Sequence, residues 1–284
     1  MDELIDLQKI YSGNEPMKVF WMFSGGASSL RAALDDPNNN VLYKNVGAYT
    51  DKEDAKGRKL CDDHRVPHFF LSRKEFYSRN GLDPRQLDSR RRFYDMLREK
   101  IDAEYSPDIV CLSGYMHIVN GEILDYKPIL NVHPADLSIL SGTTVKRLDA
   151  SQISAMDAKK LSETNKLARK FKGEDAVFDA ICACEPATRS TIHLATEIFD
   201  EGPIVVQSKA FDVDPKLLEQ ISVWHVLDGV TEYASALQDR MKTEGDGPAY
   251  LKALELISQG RVSIDGETLF LDDRELPYCG YRLG

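Results

Sequence analysis

Two polar side chains end an apolar run near the middle of the chain. The run Pro128-Ile129-Leu130 continues into Asn131 and His133, and Pro134 stops it. Residues two apart on a strand point to the same face, so the amide and the imidazole would leave the strand tip together. An amide can donate to an oxygen that gains charge, and an imidazole can carry a proton near neutral pH. The pair suits chemistry at a carbonyl group, although a capped strand end without a catalytic role would show the same pattern.

A glycine-containing turn follows the first apolar run, at residues 18–23. It reads Ser24-Gly25-Gly26-Ala27-Ser28-Ser29, and helical spacing of apolar residues begins at Leu30. Free backbone N–H groups and the positive end of a helix dipole make such a turn a site for an anion. The motif is neither a Walker loop nor a dinucleotide fingerprint. A tight strand-to-helix turn capped by Ser28 is the alternative interpretation.

Alternating strand and helix patterns place these residues in one sheet. Further apolar strands are predicted at 45–50, 66–71 and 107–114, with a helix toward His64 and a polar loop leading to a helix that Asp88 or Ser89 caps. This order predicts an α/β fold, a doubly wound, mostly parallel, Rossmann-like sheet with helices on both faces. Ligands bind beyond the carboxyl ends of the strands in such sheets. The turn at 24–29, the loop at 114–119 and the Asn131–His133 pair are therefore expected to form one site.

The regions outside this sheet are predicted more coarsely. Residues 1–16 form an N-terminal extension with a short helix over Leu4, Ile5, Leu7 and Ile10, and residues 17–284 form the main domain. The polar segment 136–172, with one helix near 153–167, is interpreted as an insertion, either lid-like or a surface decoration, and extra residues occur at 215–235. Strands at 191–196 and 202–207 flank a turn that presents a carboxylate. Helix is predicted within 214–256, and Asp265-Gly266 marks a C-terminal β-hairpin.

Composition limits the partners. The 36 Lys and Arg residues against 46 Asp and Glu residues give a net charge of −10, which argues against a nucleic-acid partner. The five cysteines are odd in number, which indicates buried thiols in a reducing compartment, and Cys182 and Cys184 lack zinc-knuckle spacing. Acidic residues near Met1 and the lack of an apolar run of about twenty residues argue against a signal peptide and a membrane span. A cytoplasmic protein without a metal is expected, and a homodimer is left open.

The motifs in their order resemble those of the folate-dependent formyltransferases, most closely the phosphoribosylglycinamide formyltransferases of purine biosynthesis. The matching segments are 23–30, 51–57, 113–118, 130–134, 191–194, 199–204, the closing hairpin from 260 and the segment 276–281. The resemblance covers most of residues 17–284 and is interrupted at about 136–172 and 215–235. It implies a transferase that moves a formyl group from the co-substrate 10-formyltetrahydrofolate to the primary amine of a phosphate-bearing small molecule, by default glycinamide ribonucleotide.

The resemblance implies catalytic roles for Asn131, His133 and Asp200. Asn131 would hydrogen-bond the formyl oxygen as negative charge develops on it, and His133 would act as a charged partner or a proton carrier. Asp200 would hold His133 and a water molecule that relays the amine proton. The chemistry supports these roles independently, because an amine that attacks an amide carbonyl needs an oxyanion donor and a route for one proton.

The resemblance also implies three groups of binding residues. The substrate phosphate is expected at Gly25, Gly26, Ala27, Ser28, Ser29 and Arg91. The folate is expected at Tyr115, Met116, His117, Ile118 and Val119, with Thr196, Glu197 and Ile198 on the opposite side. Other substrate contacts are expected from Gly114, Pro134 and Glu244, and Asp246 competes with Glu244 for the glycinamide end. His193 corresponds to a histidine behind the site and is interpreted as a satisfied strand histidine.

Several positions depart from the family pattern. Ala27 and Ser29 stand in place of a Gly and an Asn, His117 stands where an Arg is usual, and the segment after Pro134 lacks the usual Leu, Pro and Gly residues. These departures leave the acceptor open, so a formyltransferase for another amine, such as an amino-sugar nucleotide, is an alternative. A non-catalytic folate-binding protein is another, although it would not need Asn131, His133 and Asp200 together. A deformylase is less expected, because those enzymes usually carry an additional N-terminal regulatory domain.

Overall fold

The computed structural model describes residues 7–284. The strands are β1 (Gln8–Lys9), β2 (Met17–Phe23), β3 (Tyr43–Thr50), β4 (His68–Phe70), β5 (Ile109–Leu112), β6 (Ile129–His133), β7 (Ile139–Ser141), β8 (Leu148–Asp149), β9 (Ala168–Arg169), β10 (Ala187–Thr188), β11 (Thr191–Leu194), β12 (Ile204–Gln207), β13 (Phe211–Asp212), β14 (Val262–Asp265), β15 (Thr268–Leu271), β16 (Arg274–Glu275) and β17 (Tyr281–Arg282). The helices are α1 (Ser28–Asp35), α2 (Lys56–His64), α3 (Arg73–Arg79), α4 (Leu87–Tyr105), α5 (Ile123–Tyr126), α6 (Ala155–Asn165), α7 (Ala176–Cys182), α8 (Pro215–Trp224), α9 (Val230–Met241) and α10 (Gly247–Ser258), with a π-helical turn at Lys242–Asp246 before α10.

Eight strands form the central sheet, in the order β17-β12-β11-β6-β5-β2-β3-β4. The strands from β6 to β4 are parallel, β11 is antiparallel to both of its neighbours, and β17 is parallel to β12. Successive residues of β2 pack into different cores: Phe20 lies with Phe93 and Leu97 of α4, and Trp21 lies with Tyr250 of α10. Side chains alternate across a strand, so β2 is apolar throughout because helices cover both faces. The predicted doubly wound, mostly parallel sheet is confirmed.

The N-terminal residues differ from the prediction. Residues 1–6 lie outside the described part of the chain, so Leu4 and Ile5 are not placed. The predicted helix was expected to continue through Leu7 and Ile10. This part of the prediction is wrong, because Gln8–Lys9 is a strand antiparallel to β14. The Ile10 amide extends this pairing by donating to the Val262 carbonyl at 3.1 Å. An open strand edge in the C-terminal hairpin offers backbone partners that a short isolated helix lacks.

A helix replaces much of the polar loop predicted before Asp88. In α3 the hydroxyl of Ser72 accepts from the Glu75 amide at 3.2 Å, so the Ser-x-x-Glu capping signal was present in the sequence. The next helix, α4, starts at Leu87 with Gln86 as its N-cap, and no side chain caps it. The prediction that Asp88 or Ser89 caps this helix is therefore wrong, since both residues lie inside its first turn.

The segment after Pro134 is more ordered than predicted. The expected helix is present as α6, and Ser154 caps it by accepting from the Asp157 amide at 3.0 Å. In addition β8, β7 and β9 form a small antiparallel sheet, in which Leu140 pairs with Arg169. This pairing brings the start and the end of the segment together. The chain thus leaves the main domain near residue 139 and returns beside the same point, as an inserted unit with its own small core.

The C-terminal half contains the predicted elements. The helical region is divided into α8, α9 and α10, and β14 and β15 form the expected hairpin, with Asp265 opposite Thr268. Within residues 7–284 no helix has the length and the apolar character needed to cross a membrane.

Gly202 joins the sheet to the turn that carries Asp200. A Cβ atom at this position would lie 1.8 Å from the backbone oxygen of Leu194, so the strand β11 or the turn would have to move. We expect Gly202→Ala to lower the free energy of unfolding by roughly 3 kcal/mol, as overpacking against backbone does. Urea denaturation measures this. Gly26→Ala is the control, since a Cβ atom there has no neighbour within 4 Å, and equal losses in both variants would contradict the expectation.

Candidate active site

The tip of β6 carries the first part of the site. Asn131 of β6 lies directly opposite His193 of β11, and His133 lies two residues further along β6. Directly paired residues of antiparallel strands share a face, so all three side chains project from the same side of the sheet. The Asn131 Nδ2 atom is 3.1 Å from His193 Nε2. The pairing of β6 with β11 therefore places His193 beside Asn131, although the sequence analysis interprets His193 as a satisfied strand histidine.

Asp200 joins the two histidines. It lies in the turn between β11 and β12, where its backbone adopts the left-handed conformation, with φ 55°. The Asp200 Oδ2 atom is 3.2 Å from His133 Nδ1, and Oδ1 is 3.5 Å from His193 Nε2. His133, His193 and Asp200 are all buried. Asn131, His133 and Asp200, the three predicted catalytic residues, thus lie in one contact network with His193 as an additional member.

Both ring nitrogens of His133 face oxygen atoms. Nδ1 faces Asp200, and Nε2 lies 2.8 Å from the backbone carbonyl of Phe171. An imidazolium would donate to both oxygens, whereas the neutral ring donates to only one of them. Burial opposes the charged ring and lowers the pKa of His133 to about 4, although the Asp200 carboxylate raises it. The ring is neutral at neutral pH. If the ring gained a proton, both of its nitrogens would already face an oxygen that accepts a hydrogen bond.

The Asp200 carboxyl is ionised in this network. Burial alone would raise its pKa, but the neighbouring imidazoles of His193 and His133 outweigh burial, so the pKa lies below its ordinary value. The backbone N–H of Gly173 also donates to Oδ2 at 3.4 Å. A carboxylate in this position can hold a proton carrier in a fixed orientation.

His193 sets the orientation of the Asn131 amide. The His193 Nδ1 atom donates to the Leu194 carbonyl at 2.9 Å, so in this tautomer Nε2 can accept the hydrogen bond from Asn131. One N–H of the Asn131 side chain is then bound to His193. The other N–H is available to stabilise an oxygen that gains negative charge.

The glycine-containing turn has the geometry of an anion site. Ala27 is the N-cap of α1 and adopts φ 53°, so the chain keeps a left-handed residue here without glycine, at a cost of about 1 kcal/mol. The backbone N–H of Ser29 donates to Ser113 Oγ at 3.1 Å. The hydroxyl of Ser29 is buried, and within residues 7–284 it has no hydrogen-bond partner. Ser28 begins the helix and does not cap it through its side chain.

Asp51 connects this turn to the loop after β5. Asp51 Oδ1 accepts from the Ser24 hydroxyl at 2.6 Å, and Oδ2 lies 2.9 Å from His117 Nε2. The Ser24 hydroxyl in turn accepts from the Met116 amide at 3.1 Å. These hydrogen bonds to Ser24 and His117 hold the pKa of Asp51 below its ordinary value against the effect of burial. His117, which replaces the usual Arg, therefore has an acidic partner, and the two loops form one hydrogen-bonded unit.

The residues expected at the folate divide into two groups. The side chains of Tyr115 and Val119 are buried in the core beside α4, and Gly114 supplies a positive φ of 66° at the start of the loop. Exposed apolar side chains lie on the two loops that flank the network, at Met116, Ile118, Ile198 and Phe199. In the second loop, Thr196 turns the chain by donating to the Ile198 carbonyl at 2.9 Å.

Arg91 contacts the second of these loops. Its guanidinium is 3.1 Å from the Glu197 carboxylate, and its stem lies beside Gly121. The sequence interpretation assigned Arg91 to the substrate phosphate and Glu197 to the folate side. The structure pairs the two residues with each other.

Glu244 and Asp246 have different environments. Glu244 is exposed and pairs with Lys209 and Arg240. Asp246 ends the π-helical turn, is buried, and accepts from the Ser190 hydroxyl at 2.6 Å. One helical turn further on, the Tyr250 hydroxyl donates to the carbonyls of Leu112, the last residue of β5, and Leu130 of β6. Asp246 therefore lies on the helix face that covers the carboxyl edge of the sheet. It also ends a π-helical turn, and such turns often occur at functional sites.

Sequence reasoning did not identify the residues that return from the inserted unit. Phe171 and Gly173 contact His133 and Asp200 through backbone atoms, as described above, and Pro134 leads directly into the insertion. Backbone contacts leave no mark in a residue pattern. The sequence analysis assigns the whole of segment 136–172 to the insertion, so its second half is not considered as part of the site. Residues 7–284 contain no group of three His, Cys, Asp or Glu side chains arranged to hold a metal ion.

The fold is of the Rossmann-like α/β class, and the network of Asn131, His133, His193 and Asp200 lies at the carboxyl edge of its sheet. Residues 17–150 match the formyl transferase family. A phosphoribosylglycinamide formyltransferase of Escherichia coli is 22% identical over 268 residues, which cover 93% of this chain and 98% of the relative. Residues 17–150 are therefore identified as a formyl transferase domain.

Solved structures have the same fold. A phosphoribosylglycinamide formyltransferase from Coxiella burnetii superimposes with a TM-score of 0.66 at 19% identity, over 95% of this chain and 100% of that one. A formyltetrahydrofolate deformylase from Pseudomonas syringae superimposes with a TM-score of 0.61 at 15% identity, over 91% of this chain and 66% of that one.

The buried Asp246 carboxyl gives a pH-dependent expectation. Burial raises the pKa of Asp246 to about 6, so the folded protein binds this proton more tightly than the unfolded chain, and stability from this group is lost as pH rises from about 4 to about 6. We expect Asp246→Asn to leave the free energy of unfolding unchanged near pH 4 and to raise it by roughly 2 kcal/mol at pH 8. Urea denaturation at several pH values tests this.

Glu244→Gln is the matched control for Asp246→Asn. The exposed carboxylate of Glu244 pairs with Lys209 and Arg240, which lower its pKa. No gain in the free energy of unfolding at pH 8 is therefore expected in this variant. A gain in Asp246→Asn that is the same at every pH would contradict the interpretation, because it would not come from ionisation of the carboxyl.

Proposed function

We propose that the protein transfers the formyl group of 10-formyltetrahydrofolate to the primary amine of a phosphate-bearing acceptor, by default glycinamide ribonucleotide. The observation that carries this proposal is the single network of Asn131, His133, His193 and Asp200 at the strand tip. It lies beside an anion-type turn and between two loops with exposed apolar side chains. The name of the Escherichia coli relative supports the acceptor.

The network fits the steps of the reaction. The acceptor amine attacks the formyl carbon, and the formyl oxygen becomes an oxyanion that the free N–H of Asn131 stabilises. The amine then loses one proton, and N10 of the folate gains one as the C–N10 bond breaks. A water molecule held by Asp200 would relay this proton, and the two oxygens that face the His133 nitrogens would stabilise the ring when it is charged. No covalent enzyme intermediate is needed.

The acceptor would lie across two parts of the site. Its phosphate would bind the backbone N–H groups of residues 25–28, since the N–H of Ser29 already donates to Ser113 Oγ. The buried hydroxyl of Ser29 has no hydrogen-bond partner within residues 7–284. Its amine end would meet Asp246, which is ionised above about pH 6 and sits over the carboxyl edge of the sheet. This assignment favours Asp246 over Glu244, whose carboxylate is held by two surface cations.

The folate would lie between the two apolar loops. Backbone groups of residues 114–119 would read the pterin edge, and Met116, Ile118, Ile198 and Phe199 would cover its rings. Arg91 already pairs with one carboxylate, that of Glu197. Folates carry carboxylates at the glutamate end, so we assign Arg91 to that end in place of the substrate phosphate.

A second candidate function is transfer of the formyl group to water. The superposition on a formyltetrahydrofolate deformylase favours it. The same oxyanion donor and proton carrier would serve both reactions, and the two differ only in the nucleophile.

One assay separates these functions. The protein is mixed with 10-formyltetrahydrofolate, and release of tetrahydrofolate is followed with glycinamide ribonucleotide, with an amino-sugar nucleotide, and with no acceptor. Turnover that requires glycinamide ribonucleotide supports the proposal. Turnover without an acceptor indicates the deformylase, and folate binding without turnover in any mixture would refute an enzymatic role.

Asp200→Asn tests the proton-transfer role. The amide keeps the size of the side chain but cannot attract a charged His133, so we expect kcat to fall at least about a hundredfold, with folate affinity within about threefold of the original. Steady-state kinetics and folate titration measure the two quantities. Asp63→Asn, which removes an exposed carboxylate paired with Lys59, should leave both unchanged. A near-original kcat in Asp200→Asn would remove Asp200 from the mechanism.

A further inference from the structure

We propose that Arg169, on the return strand of the inserted unit, is a positioning residue for Asp200. The inference rests on the proposed function and deepens it, because it assigns the insertion a part in the catalytic geometry. Arg169 belongs to β9 and therefore lies in the segment where the chain departs from the family pattern.

The Arg169 guanidinium is bound to the turn that carries Asp200. Nη1 donates to the backbone carbonyl of Asp200 at 2.6 Å, and Nη2 donates to the carbonyl of Gly202 at 2.9 Å. Nε donates to the hydroxyl of Tyr278 at 3.0 Å. The side chain is 1% exposed. All three nitrogens of the planar fork are thus used, two of them on alternate carbonyls of one turn.

The turn requires such a support. Asp200 is a non-glycine residue at φ 55°, an unfavourable conformation that persists only where neighbours hold it. A buried carbonyl without a donor is a further destabilising feature. Arg169 supplies donors to the carbonyls on both sides of Glu201. It therefore fixes the backbone from which the Asp200 carboxylate reaches His133.

Three alternate residues of the returning chain contact the same network. Arg169 binds the backbone of the Asp200 turn, the Phe171 carbonyl faces His133 Nε2, and Gly173 donates to the Asp200 carboxylate. The pairing of Leu140 with Arg169 anchors this stretch to the inserted sheet. The inserted unit consequently supports the turn that carries Asp200. This role differs from that of a lid over the ligands and from that of a surface decoration.

Arg169→Lys tests the proposal because it keeps the charge and removes the fork. A lysine cannot bind both carbonyls in one plane, so we expect kcat to fall about tenfold to a hundredfold, with KM for folate and acceptor within about threefold. The ¹⁵N chemical shifts of the His133 ring, which report its hydrogen bond to Asp200, should move. Arg147→Lys is the matched control, since Arg147 lies in the same insertion and pairs with Glu185 outside the turn; it should change neither measurement.

The outcomes separate this proposal from the proposed function. Loss of thermal stability in Arg169→Lys with an unchanged kcat at a temperature where it is folded would overturn the positioning role, and so would unchanged His133 shifts. Recovery of kcat in Arg169→Ala on addition of guanidinium at millimolar concentration would support it. If the original protein shows no formyl transfer, the proposed function fails, and the His133 shifts still decide whether Arg169 positions Asp200.

Discussion

The contact between His133 and Asp200 is the interaction on which the rest of the site depends. A carboxylate and an imidazole in a buried place are unfavourable unless other groups satisfy them. Here β6 supplies the imidazole, the turn before β12 supplies the carboxylate, and the returning insertion supplies a carbonyl and an N–H. Three distant parts of the chain thus converge on one histidine–carboxylate pair. The low pKa of His133 follows from this burial.

The departures from the family pattern have local physical compensation. Ala27 keeps the left-handed conformation that its turn needs, and His117 finds an acidic partner in Asp51. Because Asp51 also binds Ser24, the turn at 24–29 and the loop at 114–119 are coupled by one carboxylate. Asp246 shows the opposite balance, since its buried carboxyl has a pKa raised to about 6 and is held at a cost in stability. Such a cost is common at functional sites.

Much of the fold could be predicted from residue patterns. The continuous apolar character of β2 and the alternation of strands and helices indicate a doubly wound sheet, because both faces of each strand must be covered. Two predictions about helix starts differ from the structure. Asp88 and Ser89 do not cap α4, and the Ser72-x-x-Glu75 capping signal marks the start of α3, where a polar loop is predicted. The strand at Gln8–Lys9 depends on an edge formed more than two hundred residues later in the chain, which no local pattern contains.

The sequence by itself determined the fold class and the placement of Asn131 and His133 on one strand face, because side chains two apart on a strand share a face. Only the tertiary structure decided which residues surround them. The cross-strand register placed His193 opposite Asn131, and the closing of the insertion placed Arg169 and Phe171 behind the turn. It also separated buried Asp246 from exposed Glu244. These contacts join residues far apart in sequence, several through backbone atoms that every residue type possesses, so they leave no pattern in the sequence itself.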